Sequence, residues 1–193
     1  AFTSQLLALL MLVVALGKSR GMDETKSSAL LSDAILLPAL IEKVLASKQV
    51  IEQWAENFVG LKNTIFLGRG VLFPIALEGA LKLKEISYIH ADAYPAGELK
   101  HGPIALVDNG TPILAIACKD GYEDKIKSNL QEVMTRGGEV YLFADETLDL
   151  SDMGEHCHVQ TFPSVMAELA PALFVVPLQL FSYYVAQIGR AHA

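Results

Sequence analysis

The sequence TIFLGRGVLFPIALEGALKLKE, residues 64–85, combines two patterns that together indicate an α/β fold. Residues 64–67 are a short apolar run typical of a strand, and the run ends at the turn Gly68-Arg69-Gly70. A helical pattern starts at Pro74 and carries charges among its apolar residues. We therefore expect a strand-turn-helix unit with a ligand site outside the carboxyl end of the strand.

Strands and helices continue to alternate along the rest of the chain. Apolar runs predict three further strands, at residues 112–117, 140–143 and 158–162. An amphipathic pattern at residues 123–136 predicts a helix, and residues 165–188 form a long helical pattern that Pro171 and Pro177 are expected to interrupt. The alternation predicts a three-layer α/β/α fold with a parallel doubly wound sheet, preceded by N-terminal helices.

The first 60 residues read as helices. Residues 23–46 and 48–60 have apolar side chains at helical spacing, and Pro38 is expected to kink the first of these helices. Residues 6–16 are an unbroken apolar run that is shorter than the ~20 residues needed to span a membrane. A signal peptide would require a Lys or Arg before this run, and none is present there. We expect a buried helix there, no membrane partner, and an apolar surface that needs a cover.

Composition excludes several classes of protein. The 193 residues are 52% hydrophobic, which predicts one folded unit with a substantial core. The net charge of −7 disfavours a nucleic-acid partner. Cys118 and Cys157 form no CxxC motif and fit a reducing cytoplasm. Neighbouring side chains in a strand point to opposite faces, so His156-Cys157-His158 is not expected to bind a metal.

Three charged residues share one side of the predicted helix. With Glu78 as the origin and ~100° per residue, Lys82 lies near 40° and Glu85 near −20°. The other residues of this helix, which include Leu77, Ala80, Leu81 and Ile86, are largely apolar. We expect the helix to be buried and the charges to face a polar cleft, because buried charges need partners.

The loop after this helix carries further polar groups in the run Gly97-Glu98-Leu99-Lys100-His101-Gly102-Pro103. A carboxylate, a cation and an imidazole suit proton transfer on a sugar, in which the carboxylate removes a proton, the cation stabilises an oxyanion and the imidazole opens a ring. The alternative is a salt-bridged helix, because Glu and Lys four residues apart are ordinary helix stabilisers.

Three runs in this region carry a resemblance to a known family. Residues 68–70, 74–90 and 97–103 resemble the second sugar isomerase (SIS) subdomain of the glutamine:fructose-6-phosphate amidotransferases, which make glucosamine 6-phosphate. The opening residues AFTSQ are also similar to that family, and the similarity extends to about residue 188.

The resemblance implies roles for individual residues. It implies that Glu85 is the isomerisation base, that His101 assists ring opening from the neighbouring subunit of a homodimer, and that Glu78 and Lys82 line the same site. It also implies a phosphosugar substrate, fructose 6-phosphate, and chemistry that needs neither a metal nor another cofactor. Ammonia for the reaction would come from glutamine.

The same resemblance implies that further parts are needed for activity. These are a glutaminase domain, a first SIS subdomain whose loop holds the sugar phosphate, and a C-terminal tail with a Schiff-base lysine. We expect residues 1–53 to be the end of the first subdomain with linker helices, and residues 54–188 to be the second subdomain. Residues 189–193 would be a divergent tail or one added by cloning. The chain alone is then expected to be inactive.

The remaining polar residues allow two interpretations, substrate binding or a structural turn. Gly68, Arg69, Gly70, Glu98 and Lys100 are candidates for substrate binding, since glycines admit a phosphate close to the backbone and a helix N-terminus favours anions. A tight strand-to-helix turn explains the two glycines as well. The function itself has an alternative, because SIS folds also serve as phosphosugar sensors without proton chemistry; a sensor needs no base aligned with an imidazole.

Overall fold

The computed structural model describes the backbone of residues 1–191 and the side chains of residues 1–189. Residues 192 and 193 of the predicted tail lie outside this part. The chain opens with three helices, α1 (Phe2–Ser19), α2 (Glu24–Ala46) and α3 (Lys48–Glu56). The Asp23 side chain accepts a hydrogen bond from the Lys26 backbone N–H at 2.9 Å and caps α2. Both predicted helices are present, but the second ends at Glu56 and not at residue 60. Helix α2 continues through Pro38 as one helix.

Strands and helices alternate after α3. In chain order they are β1 (Asn63–Gly68), α4 (Phe73–Ser87), β2 (His90–Pro95), β3 (Pro112–Ala117), α5 (Glu123–Thr135), β4 (Glu139–Asp145), β5 (Cys157–Phe162) and α6 (Ala170–Ala191). Short 3-10 helices follow β1 and β2. The predicted strands are confirmed, but β2 was not predicted. Its sequence HADAYP alternates alanine with polar residues and lacks the branched apolar side chains by which strands are usually detected.

The strands form one parallel sheet in the order β2-β1-β3-β4-β5. In the register, Ile65 of β1 lies between Asp92 of β2 and Ile113 of β3. The chain moves outward from β1 to β2 and then crosses back to β3 on the other side of β1. The predicted doubly wound sheet is confirmed, and its direction reverses between β1 and β3. Ligands of such sheets bind outside the carboxyl ends of the strands at this point.

Alternating side chains of the strands fill two cores. On one face, Phe66, Leu114 and Phe143 pack with α3, α4 and α6. On the other face, Leu67 and Leu142 belong to a smaller core with the buried side of α5. The central strands β1, β3 and β4 are therefore buried on both faces, as is typical of parallel sheets, whereas the edge strands β2 and β5 are only partly buried.

Helix α6 is buried along most of its length, and the predicted interruption by prolines is wrong. Pro171 lies in the first turn, where no helical N–H bond is lost. Pro177 lies inside the helix, which continues unbroken. The fully buried Phe174 and Phe181 pack on both sides of Pro177, and their burial offsets the cost of the missing hydrogen bond.

Helix α1 differs, because the expected burial of residues 6–16 is wrong. Only Val14 is buried, whereas Leu9, Leu12 and Leu16 are exposed by about half. The helix contacts α2 and α6 along one side only. By length and composition, Phe2–Ser19 and Ala170–Gly189 are both apolar enough to cross a membrane. Core helices of soluble proteins pass the same test, and the second helix is mostly buried.

Candidate active site

A tight turn connects β1 to the charged helix α4. A Cβ atom on Gly68 would lie 2.6 Å from the Leu72 carbonyl oxygen, so only glycine permits this close approach. Gly70 has φ +55°, in the left-handed region that favours glycine. Pro74 then lies in the first turn of α4. The turn fixes the start of α4 directly beyond the carboxyl end of a central strand.

Glu78, Lys82 and Glu85 lie together on α4, as predicted, and we refer to them as the α4 stripe. The Lys82 Nζ atom lies 2.8 Å from Glu85 Oε2 and 3.7 Å from Glu78 Oε1. The hydrogen bond to Glu85, assisted by the charge of Glu78, raises the pKa of Lys82. The stripe therefore holds an ammonium group between two carboxylates.

The predicted burial of α4 holds for one side only. Ile75, Ala80 and Leu83 are buried against the sheet and α6. Leu77 and Leu81 are exposed by more than 40%, so their predicted burial is wrong. A helix packed on a sheet from one side keeps its other side open, and apolar side chains there need a further partner.

Accessibility differs within the stripe. The Glu78 side chain is 14% exposed, whereas those of Lys82 and Glu85 are 35% and 49% exposed. A groove of about 480 Å³ runs beside Glu78 and is walled by Phe2, Leu6, Leu77 and Leu81 among others. A ligand can therefore reach Lys82 and Glu85 from solvent, next to an apolar surface.

The polar loop after β2 forms a 3-10 helix, Ala96–His101. Lys100 forms an ion pair with Glu132 of α5 at 2.7 Å. The His101 Nε2 atom lies 3.8 Å from Glu98 Oε2, and its side chain is 74% exposed. Within the described part of the chain, no hydrogen bond or ion pair joins His101 to the α4 stripe. One copy of the chain thus assembles the two acids and the lysine but leaves the imidazole apart.

Arg69 and Gly70 lie in a second cleft, of about 250 Å³, with Pro95, Gly97, Glu98 and Tyr122. The predicted candidates Arg69, Gly70 and Glu98 thus meet, whereas Lys100 points to Glu132. Sequence reasoning missed Tyr122 and its neighbour Asn129, which contact Arg69. The predicted topology could have indicated these contacts, because residues that follow β3 must lie beside residues that follow β1 in the predicted sheet.

The two histidines flanking Cys157 bind a carboxylate at the opposite end of the sheet. His156 Nδ1 lies 3.0 Å from Glu139 Oε2, and His158 Nε2 lies 2.6 Å from Glu139 Oε1. We call these three residues the Glu139 cluster. In residues 1–189, no group of three or more His, Cys, Asp or Glu side chains is arranged to hold a metal ion.

Comparisons with known proteins place these observations in a family. The SIS domain family profile matches residues 58–188. A glutamine–fructose-6-phosphate aminotransferase (isomerizing) of Pseudomonas syringae pv. tomato is 52% identical over 187 residues, which cover 96% of this chain and 30% of the relative. The enzyme of the same name from Haemophilus influenzae is 49% identical over 189 residues, 97% of this chain and 31% of the relative. The chain thus spans about a third of the length of these relatives.

Solved structures agree with this assignment. The C-terminal domain of glucosamine-fructose-6-phosphate aminotransferase from Francisella tularensis has a TM-score of 0.92 and 43% identity, and the match covers 98% of this chain and 53% of that domain. Tagatose-6-phosphate ketose/aldose isomerase from Escherichia coli has a TM-score of 0.64 at 22% identity, with 79% and 42% covered, and shares the fold alone.

Proposed function

This chain belongs to the SIS domain family, and we propose that it is the second SIS subdomain of a glutamine–fructose-6-phosphate aminotransferase. Such an enzyme would convert fructose 6-phosphate, with ammonia taken from glutamine, into glucosamine 6-phosphate. The observation that carries the proposal is the α4 stripe, in which the Lys82 ammonium group lies 2.8 Å from an accessible carboxylate, Glu85, and 3.7 Å from a second one, Glu78.

Each member of the stripe has a chemical role in this proposal. Glu85 is the base that moves a proton between the first two carbons of the sugar, because it is the more accessible carboxylate. Lys82 carries a positive charge that stabilises the oxyanion formed when the proton leaves. Glu78, which is largely buried beside Lys82, holds the lysine in place and lines the pocket. No metal or other cofactor takes part.

The proposal treats the chain as one part of a site. His101 would act on the sugar ring from a neighbouring subunit, consistent with its exposure and its separation from the stripe of its own copy. Residues 54–188 would form the second subdomain, and residues 1–53 would belong to the end of the first subdomain and its linker. The open groove between α1 and α4 would then be covered by the preceding subdomain of the longer enzyme.

We expect the chain to act in the cytoplasm as a homodimer, with a phosphosugar as its ligand. Free thiols at Cys118 and Cys157 support a reducing compartment.

The exposed apolar side of α1 favours self-association of the isolated chain. Sedimentation velocity at micromolar concentration should give a dimer, and Leu12→Lys should shift it towards monomer. Lys18→Gln on the same helix is the matched control, and a stable monomer of the unmodified chain would contradict the expectation.

A phosphosugar sensor is the second candidate, and one observation favours it. The isolated chain leaves His101 remote from the stripe, as a protein without proton chemistry could. Glu78 and Lys82 would then be a structural ion pair on α4. Substitution of Glu85 separates the two candidates. An isomerase needs this carboxylate for turnover, whereas a sensor catalyses no reaction.

The direct test compares the chain alone with the chain joined to the remaining two thirds of a relative such as the Pseudomonas enzyme. Formation of glucosamine 6-phosphate from fructose 6-phosphate is measured with glutamine and with ammonia. We expect no product from the chain alone, because misplacement of catalytic groups by an angstrom costs orders of magnitude in rate. We expect activity from the joined polypeptide. Turnover by the isolated chain would overturn the view that it is one part of a site.

A further inference from the structure

The cleft around Arg69 lies at the point where the sheet reverses direction, and the proposed isomerase chemistry does not use it. Arg69 and Gly70 follow β1, Pro95 and Gly97 lie at the end of β2, and Tyr122 follows β3. The cleft thus spans the carboxyl ends of three adjacent strands, where ligands of doubly wound sheets bind. Its volume of about 250 Å³ suits a small group.

Arg69 is the half-buried member of the three arginines whose side chains the structure describes, and Arg20 and Arg136 are exposed. Its Nη1 atom donates a hydrogen bond to Asn129 Oδ1 at 3.3 Å, and its guanidinium lies 5.2 Å from the centre of the Tyr122 ring. Among the described residues, no carboxylate lies within 4 Å of it. Most of the five N–H donors of this guanidinium are therefore left for a ligand.

The guanidinium is held in position before any ligand arrives. A Cβ atom on Gly97 would lie 2.4 Å from Arg69 Nη1, so the missing side chain at Gly97 makes room for the arginine. Asn129 and the Tyr122 ring fix it from the side of α5. Such preorganisation reduces the entropy that binding must overcome.

A second cation approaches the same ring. The Lys125 Nζ atom lies 5.4 Å from the centre of the Tyr122 ring, and the described residues offer it no carboxylate within 4 Å. The Lys125 side chain is exposed to solvent. Two cations thus lie against one aromatic ring, and neither has an ion-pair partner among the described residues.

Three acidic residues lie near the cleft. Asp120 Oδ1 accepts the Tyr122 N–H at 3.1 Å, and Glu123 Oε1 accepts the Gly121 N–H at 2.9 Å. Glu98, which lines the cleft, has one oxygen 3.8 Å from His101. The second oxygen of Asp120 faces Gly70. None of these carboxylates lies within 4 Å of the charged groups of Arg69 or Lys125, so both cations lack an ion-pair partner among the described residues.

We propose that the Arg69 cleft binds a phosphoryl group through the Arg69 guanidinium, with Lys125 as a second cation. Guanidinium groups match phosphate oxygens with two parallel hydrogen bonds. The phosphoryl group can come from free phosphate or from a sugar phosphate. This site is separate from the α4 stripe, and its test requires no turnover.

The test titrates the chain with inorganic phosphate, fructose 6-phosphate and fructose, using calorimetry and the NMR signals of the Gly70 and Gly97 amides. We expect saturable shifts with both phosphorylated probes and none with fructose. Equal affinities for phosphate and fructose 6-phosphate identify the phosphoryl group alone as the ligand, and a higher affinity for fructose 6-phosphate adds the sugar. Shifts by fructose as large as those by fructose 6-phosphate would overturn the proposal.

Four variants separate the site from general surface charge. Arg69→Gln should weaken phosphate binding about tenfold or more, as loss of a charge-assisted hydrogen bond predicts, and Lys125→Gln about two- to threefold. Gly97→Ala keeps the net charge but displaces the guanidinium, and should also weaken binding severalfold. Arg20→Gln removes an arginine outside the cleft and should change nothing. Unchanged affinity in Arg69→Gln, or an equal loss in Arg20→Gln, would contradict the proposal.

Discussion

The α4 stripe and the Glu139 cluster both join carboxylates to basic side chains over short distances. They differ in how many carboxylate oxygens remain without a partner. In the Glu139 cluster, one imidazole lies at each oxygen of the carboxylate, at 3.0 and 2.6 Å. In the stripe, Lys82 binds Oε2 of Glu85, and Oε1 of Glu85 has no partner among the described residues. A short contact between charges therefore does not by itself indicate a catalytic role, and we propose such a role only for the stripe, which keeps an accessible carboxylate oxygen without a partner.

Their places in the fold differ as well. The stripe lies on the helix that follows β1, beside an open groove. The Glu139 cluster lies at the first residues of β4 and β5, at the end of the sheet remote from ligand sites. We therefore propose proton transfer for the stripe and a structural role, holding two strands together, for the Glu139 cluster.

The largest effect is expected from Glu85→Gln, made in the joined polypeptide. Glutamine keeps the shape of glutamate and can still accept a hydrogen bond from Lys82, but it cannot take up a proton as a base. Isomerisation should fall by ~10² to 10⁴, the usual contribution of a general base. The affinity for fructose 6-phosphate, measured by calorimetry, should change little. A rate near that of the unmodified protein would remove the distinction between the two clusters.

A smaller effect is expected from Glu78→Gln. If Glu78 mainly holds Lys82, the variant loses an ion pair one turn along the helix, worth less than ~1 kcal/mol of unfolding free energy. Turnover should fall by less than the ~10² expected of a general base. Urea unfolding and steady-state rates measure the two effects. A loss of turnover equal to that of Glu85→Gln would show that both acids take part in proton transfer.

The smallest effect is expected from Glu139→Gln, which should leave isomerisation unchanged. Partial burial acts to raise the pKa of Glu139, but the hydrogen bonds and charges of His156 and His158 outweigh it and lower this pKa. A carboxyl with a lowered pKa in the folded state stabilises the protein above its unfolded pKa, and this stability is lost as the pH falls through the folded pKa.

The unfolding free energy of the unmodified chain should therefore decline from about pH 5 downwards more steeply than that of Glu139→Gln. The difference should stay below ~1 kcal/mol, because the histidines are partly exposed. Urea titrations at several pH values between about 3 and 6 provide the measurement. Equal slopes for both proteins would show that the cluster contributes nothing to stability.

The sequence predicted the sheet and the stripe because both follow from local spacing. Residues Pro112–Ala117 match β3, and the helical angles of Glu78, Lys82 and Glu85 correctly predicted a shared side. Alternation of strands and helices then predicted the parallel topology. These properties need only the period of the backbone and no knowledge of distant contacts.

Burial could not be predicted in the same way. Helices α1 and α6 are both rich in apolar residues, but Leu12 is half exposed and Phe181 is fully buried. Which apolar helix is covered depends on the neighbours that the fold provides. The contact of Arg69 with Tyr122 and Asn129 was missed for the same reason, because it joins residues more than 50 positions apart.

Exchange of a substrate proton with solvent tests the central claim, that the α4 stripe performs proton transfer through Glu85. The joined polypeptide is incubated with fructose 6-phosphate in deuterium oxide, and NMR follows deuterium entry at the first carbon of the sugar. Because the Glu85 side chain is 49% exposed, a proton held on it can exchange with water. We predict deuterium incorporation by the unmodified and the Glu139→Gln proteins and none above background by Glu85→Gln. Incorporation by Glu85→Gln at the unmodified rate would contradict the claim.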